Sequence, residues 1–289
     1  MSIPQYKSTT EFSPDQACVL VIAGTDPSGG AGLAADTRAI EAFGAHPCPV
    51  VTAVVAQNTR GVHSFLPVAP EFLRLQLEVL AEDITPRAIK IGMLPASQSI
   101  EVVARFLKAH PDIPVVLDTV FAPSSGPQFS DADTVHSVKK LLLPLCEIVT
   151  PNLPEAERLC GFAINDTETT QRAARKIHEL GARLVLIKGG HATGAEASDL
   201  FFDGDTFTTL SAPRVAGYEV RGTGCMLASA IAAQRAQDVE PRLCVQRAKA
   251  WLTTRIEHAK PMGKGRYVAT TQHRPSLRDL SDVTLSILA

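Results

Sequence analysis

The sequence carries no charge excess, no paired-cysteine motif and no apolar run of membrane-spanning length. Its 28 basic residues against 30 acidic ones give a formal net charge of −2, and the basic residues are scattered. There is then no positive field to hold nucleic acid or an anionic membrane surface, and small molecules are the expected partners. The six cysteines, Cys18, Cys48, Cys146, Cys160, Cys225 and Cys244, stand far apart with no Cys-x-x-Cys among them. That is the pattern of reduced thiols and not of a disulfide framework or a zinc site. Residues 1–15 are polar and lack an apolar signal core, and no stretch is long enough to cross a bilayer, so a cytoplasmic location is expected. No Pro-, Gly- or Ser-rich linker divides the chain. With 45% hydrophobic residues, it reads as one α/β domain over residues 17–260, after a polar segment 1–16 and before a stretch 261–289 to which the sequence assigns no role. A homodimer is compatible with such a chain.

What the sequence does have is rhythm. Short runs rich in Val, Ile and Leu, at 17–23, 49–56, 88–91, 115–118, 148–150 and 184–188, are apolar on both faces, as buried parallel strands require. Helical patterns at 32–43, 70–81, 96–108, 132–143, 155–159 and 168–180 supply the crossovers, which predicts a doubly wound, mainly parallel sheet between two helical layers. Beyond Gly190 the pattern changes. Residues 199–202 and 206–210 flank Asp203-Gly204-Asp205 in the form of a hairpin, adding an antiparallel margin, and helices are expected at 224–237 and 241–258.

In such sheets ligands collect beyond the carboxyl ends of the strands, and the residues at those ends are polar here. Arg221-Gly222-Thr223-Gly224-Cys225 opens a small-residue helix, so the amides of Gly222, Thr223 and Gly224 are expected to form an anion hole. The same field is expected to lower the pKa of Cys225, which would then serve as a base. The loop Gly24-Thr25-Asp26-Pro27-Ser28-Gly29-Gly30-Ala31-Gly32 lacks the lysine of a phosphate loop, and Gln57-Asn58 stands where a dinucleotide fold needs an acid. It reads instead as backbone closing over a small neutral ligand, with Gly24 lining it and Asp26 accepting a hydroxyl; a plain tight turn is the alternative. Gln57 offers an acceptor and two donors, suited to an aminopyrimidine edge or to stapling its own loop. Met93 supplies an adaptable wall for a flat ring or simply core. Asp118, Asn152 and Glu155 put carboxylates beside a phosphate hole, an arrangement that calls for Mg2+, although Glu155 also suits a helix N-terminus. Lys188 and His191 place a cation and a turn where a nucleoside triphosphate would lie.

These stretches, together with Lys90-Ile91-Gly92-Met93-Leu94, Val149-Thr150-Pro151-Asn152-Leu153-Pro154-Glu155 and Lys188-Gly189-Gly190-His191, resemble the hydroxymethylpyrimidine and phosphomethylpyrimidine kinases of the ribokinase-like family. The likeness runs from about Cys18 to about Gln237. It implies a three-layer α/β/α sandwich and two ATP- and Mg-dependent transfers, first to the hydroxymethyl group of 4-amino-5-hydroxymethyl-2-methylpyrimidine and then to its monophosphate. By the same resemblance Gln57, Met93 and Asp26 attend the pyrimidine, Lys188, His191, Asn152 and Thr223 the ATP, and Asp118 and Glu155 the magnesium, with Cys225 as base.

The chain departs from the family pattern at Asp118-Thr119-Val120-Phe121, at Ser124 and at Arg221, where His is common. Phe121 is accordingly expected to stack on or crowd the ring, and Arg221 to reach a phosphate of the second substrate. These departures keep pyridoxal open as an alternative substrate. A pyrimidine-binding sensor without transfer is a second alternative, and a cysteine hydrolase a third, resting on Cys225 alone.

Overall fold

The computed structural model describes residues 17–122, 126, 129–190, 194–270 and 284–288. In chain order the elements are β1 (Cys18–Ala23), α1 (Gly32–Ala42), β2 (His46–Val51), β3 (Ala53–Asn58), β4 (Gly61–Pro67), α2 (Pro70–Asp83), β5 (Ala88–Ile91), α3 (Ser97–Ala109), β6 (Val115–Leu117), α4 (Ala132–Ser137), β7 (Ile148–Val149), α5 (Leu153–Cys160), α6 (Thr167–Glu179), β8 (Leu184–Ile187), β9 (Glu196–Phe202), β10 (Phe207–Pro213), β11 (Val220–Arg221), α7 (Thr223–Arg235), α8 (Pro241–Glu257), β12 (Tyr267–Val268) and β13 (Thr284–Leu288).

Nine strands form one sheet in the order β13-β10-β9-β8-β7-β6-β5-β1-β2. The six from β8 to β2 run parallel, and β9, β10 and β13 add the antiparallel margin. The period of two in β1 divides its side chains between two cores. Leu20 and Ile22 pack with α2, α3, α5 and α6 residues such as Leu73, Ile100, Leu159 and Ile177, whereas Val19, Val21 and Ala23 pack with Ile40 of α1, Leu227 and Ile231 of α7, and Trp251 of α8. Burial on both faces is why these strands read as unbroken apolar runs. The result is the three-layer sandwich expected from the rhythm, with the turn in strand order at β1, between β2 and β5, where α/β sheets open a crevice.

Two local expectations are corrected, and a stretch left without a role gains one. The run 49–56 is two strands, because Thr52 breaks it: its amide bonds the Ala23 carbonyl at 2.9 Å and its hydroxyl donates to the Met93 carbonyl at 2.7 Å. The chain then leaves the sheet as β3, pairs with β4, and carries a bulge between Ala56 and Gln57 that re-aims the end of the strand. The helix expected over 132–143 holds its α-form only to Ser137, then widens over 138–142 and tightens over 143–145, where Pro144 has no amide hydrogen to continue the ladder. Finally, residues 261–289 contribute β12, which pairs with β11, and β13, which pairs with β10. No helix of the described residues is long and apolar enough to cross a membrane.

Candidate active site

The carboxyl ends of β1, β5, β6, β7 and β8 open into a cavity of about 300 Å3, the size of small-molecule sites. One end is polar. At the start of α7, Gly222 takes the left-handed conformation at φ 73°, and a Cβ there would fall 2.0 Å from the Gly30 carbonyl oxygen, so no other residue fits the turn. The first helical backbone bond runs from the Met226 amide to the Gly222 carbonyl at 3.0 Å, and no side chain caps the helix. The amides of its first turn are thus free of helical partners at the positive end of the dipole. Thr223, Gly224 and Cys225 line the cavity, as the sequence suggested.

Facing them, Lys188 Nζ lies 2.6 Å from Asp118 Oδ1. Burial works against the Asp118 charge, but Lys188 and then Lys90 outweigh it and hold this carboxyl below the usual range. Asn152 caps α5 by accepting from the Glu155 amide at 2.9 Å, while Glu155 Oε2 accepts from the Asn152 amide at 2.8 Å and from Thr119 Oγ1 at 3.1 Å. Asn152 and Glu155 thus form a capping box, with Glu155 at the helix N-terminus as its alternative reading had it, and both line the cavity as well. Burial, with Lys188 opposing and Asp118 reinforcing, pushes the Glu155 carboxyl up to about 7.

Behind the anion hole, Lys90 Nζ and Asp36 Oδ1 meet at 2.8 Å with both side chains fully buried, and Ser229 Oγ donates to the same oxygen at 2.8 Å. Burial opposes the Lys90 charge, but Asp36 outweighs it and holds the ammonium above its ordinary range. This pair went unread because Asp36 lies inside an amphipathic helix and Lys90 inside an apolar strand; a lysine in a buried strand was the available signal, since such a charge needs a partner.

The expectation for the Cys225 thiol is corrected. Burial pushes it up to about 12, with Lys90 pulling the other way; desolvation of the thiolate outweighs the helix field at this position. The Gly32 amide also favours the thiolate, while Asp36 and Asp118 oppose it.

The other end of the cavity is apolar. Met93 packs with Val55, Val62 and Phe129 in a separate small cluster, and Gly24, Gln57, Val120 and Phe129 complete the wall. Phe121, expected at the ring, is instead 3% exposed in the main core, with the Arg158 guanidinium 5.1 Å above its ring; Phe129 takes the place foreseen for it. Asp26 is likewise turned from the cavity. Its Oδ1 accepts from the Ser28 amide and hydroxyl, and its Oδ2 from the amides of Gly30 and Ala31, which is the tight-turn alternative. Arg221 does not reach the anion hole either, but meets Asp26 Oδ2 at 3.2 Å and Gln57 Oε1 at 2.6 Å. His191 lies outside the described residues.

An anion hole, a lysine, two carboxylates and an apolar ring pocket at the ends of parallel strands are the parts of a small-molecule kinase of ribokinase-like fold. The comparisons agree and narrow it. The sequence model described as phosphomethylpyrimidine kinase matches residues 26–270. The chain is 42% identical over 247 residues to the thiamine biosynthesis bifunctional protein ThiED of Geobacter sulfurreducens, 86% of this chain and 50% of that longer protein. It is 40% identical over 246 residues to the hydroxymethylpyrimidine/phosphomethylpyrimidine kinase of Aquifex aeolicus, 85% of this chain and 96% of the relative. Among solved structures, pyridoxal kinase from Staphylococcus aureus, in complex with AMP-PCP and pyridoxal, superposes with a TM-score of 0.84 at 30% identity, covering 94% of this chain and 100% of that one. The chain belongs to the phosphomethylpyrimidine kinase family, and is a phosphotransferase.

Proposed function

We propose that the chain transfers the γ-phosphoryl group of ATP to the hydroxymethyl group of 4-amino-5-hydroxymethyl-2-methylpyrimidine and then phosphorylates the monophosphate, supplying the pyrimidine diphosphate for thiamine synthesis. The observation that carries this reading is that one cavity joins the Gly222–Cys225 amides and the Lys188–Asp118 pair to an apolar pocket edged by the Gln57 amide. The relatives named for this activity, at 40% identity over nearly their whole length, point the same way.

Phosphoryl transfer is loose, so positioning and charge neutralisation supply most of the rate. The amides of the first turn of α7 hold phosphate oxygens, Lys188 offsets their charge, and Asn152 and Thr223 help to seat the nucleotide. Among the described residues no three His, Cys, Asp or Glu side chains form a metal cluster. Asp118 and Glu155 nevertheless present oxygen donors of the kind Mg2+ prefers, and phosphate oxygens and water would complete its shell. The ion would neutralise charge on the phosphates when bound. Cys225 takes the alcohol proton late in transfer. Because its thiol is neutral at rest, Cys225 has to release its own proton as the alcohol proton arrives, and the Asp118 carboxylate, which lines the same cavity, is the acceptor at hand.

The test is ATP consumption with Mg2+ and a panel of pyrimidine and pyridoxal alcohols. Turnover of the pyrimidine alcohol and its monophosphate is expected. A kcat/KM higher for pyridoxal would favour the second reading, which the structural likeness to pyridoxal kinase supports. Binding without turnover would leave a sensor.

A further inference from the structure

Arg221 immediately precedes the anion hole yet belongs to the other end of the cavity. Its stem crosses Gly30 so closely that a Cβ there would lie 2.8 Å from Arg221 Cγ and 2.9 Å from Cδ. The guanidinium that emerges meets three groups: Asp26 Oδ2 at 3.2 Å, Gln57 Oε1 at 2.6 Å, and the Asn58 carbonyl. The Arg221 and Asp26 side chains are 10% and 0% exposed, so this is a buried pair whose geometry the surroundings fix.

The consequence falls on Gln57. A guanidinium only donates, so the amide atom facing it has to be the oxygen. The Gln57 nitrogen then donates one hydrogen to the Thr25 carbonyl at 3.2 Å and has one hydrogen left. Gln57 lines the cavity, and with its oxygen anchored on Arg221 the amide cannot turn over, so the position of its free N–H donor is fixed.

We infer that Arg221 is a positioning residue for substrate specificity: it locks the Gln57 amide so that the pocket reads a ring nitrogen with a free lone pair and disfavours rings presenting N–H or C–H at that edge. This rests on the reading of the cavity as a kinase site for an aromatic N-heterocyclic alcohol. It replaces the expectation that Arg221 contacts a substrate phosphate, since all the contacts above lie on the ring side.

The experiment measures dissociation constants by calorimetry for the hydroxymethylpyrimidine and for two deaza analogues, each with one ring nitrogen replaced by C–H. Wild-type protein is expected to bind one analogue about 5- to 150-fold more weakly than the parent, the range for leaving a buried donor unpaired. Gln57→Glu keeps an acceptor for Arg221 but has no N–H, so the fold is retained and the preference for the ring nitrogen disappears. Arg221→Met frees the amide to turn, shrinking the preference and raising KM more than it lowers kcat, whereas a merely structural loss would leave the preference intact among folded molecules. Equal binding of parent and both analogues by wild type, or a preference undiminished in Gln57→Glu, would overturn the inference. Dissociation constants need no turnover, so absence of phosphorylation would count against the kinase reading of these substrates and leave the binding ratios to decide on Arg221.

Discussion

The two ends of the cavity are built on different principles. The polar end, proposed to hold phosphate, is made of backbone amides at one helix start and of ion pairs, Lys188–Asp118 at its wall and Lys90–Asp36 sealed behind it. The ring end is made of apolar contacts among Val55, Val62, Met93 and Phe129 and a single amide held by Arg221. Phosphate carries its charge in every nucleotide, so a generic device of dipole and cation suffices. A ring must be told from other rings, which takes a lone-pair pattern and therefore a fixed amide. On the proposed reading, phosphate binding and ring selectivity are separable, and each can be attacked alone.

The sharpest break is expected from Cys225→Ala, which should lower kcat by about 10² to 10⁴, the range for a lost proton acceptor, while calorimetry shows the pyrimidine still bound; Cys225→Asp should recover part of the loss. Parent-like turnover of the alanine variant would reduce Cys225 to a packed thiol. Next, Lys90→Met leaves the Asp36 carboxylate buried without its cation and should cost about 3–5 kcal/mol of stability in urea titration. The replacement of both partners, Lys90→Met with Asp36→Leu, should cost less than the single change; a single variant as stable as wild type would show the sealed pair to be dispensable. At the ring end, Gln57→Ala should weaken pyrimidine binding by about 1–3 kcal/mol with little effect on ATP. Equal losses for both ligands would dissolve the distinction between the two ends.

The smallest effect concerns pH. With the Glu155 carboxyl at about 7 in the fold and near its ordinary value when unfolded, the folded chain holds the extra proton between about pH 4.3 and 7. Stability contributed by the protonated form is lost as pH rises through the folded value. In the absence of nucleotide and metal, the Tm of Glu155→Gln should therefore gain on wild type from pH 5 to 7 and level off above it. A Tm gap that does not change with pH would place the Glu155 carboxyl in its ordinary range.

Legibility divides along similar lines. The helix start at Gly222 was readable because Gly222, Thr223, Gly224 and Cys225 are contiguous, and a helix start needs nothing beyond its own residues. Glu155 was readable as a helix N-terminal carboxylate for the same reason, whereas its capping partner Asn152, three residues earlier, was read only as a ligand-binding residue. The fate of Asp26 was written in its loop, but choosing between a turn and a ligand contact required knowing that the amides of Ser28, Gly30 and Ala31 fold back onto it. Phe121 was misplaced because the segment between β6 and α4 has no periodicity to say which of two aromatics enters the cavity; packing against Arg158 draws Phe121 into the core, and Phe129 fills the wall. The Thr52 break was hidden within an apolar run whose halves pair with different strands.

By itself, then, the sequence determined the alternation of buried strands and amphipathic helices, hence the sandwich, and the chemistry of the helix start at Gly222, because both depend on residues close along the chain. Tertiary structure decided the rest. It set the Cys225 thiol at about 12 by burying it, paired Lys90 with Asp36 across 54 positions, and brought Arg221 to Gln57 across 164. Desolvation and long-range pairing are properties of the enclosed space, and no local pattern of residues specifies that space until the sheet and its two helical layers have closed around it.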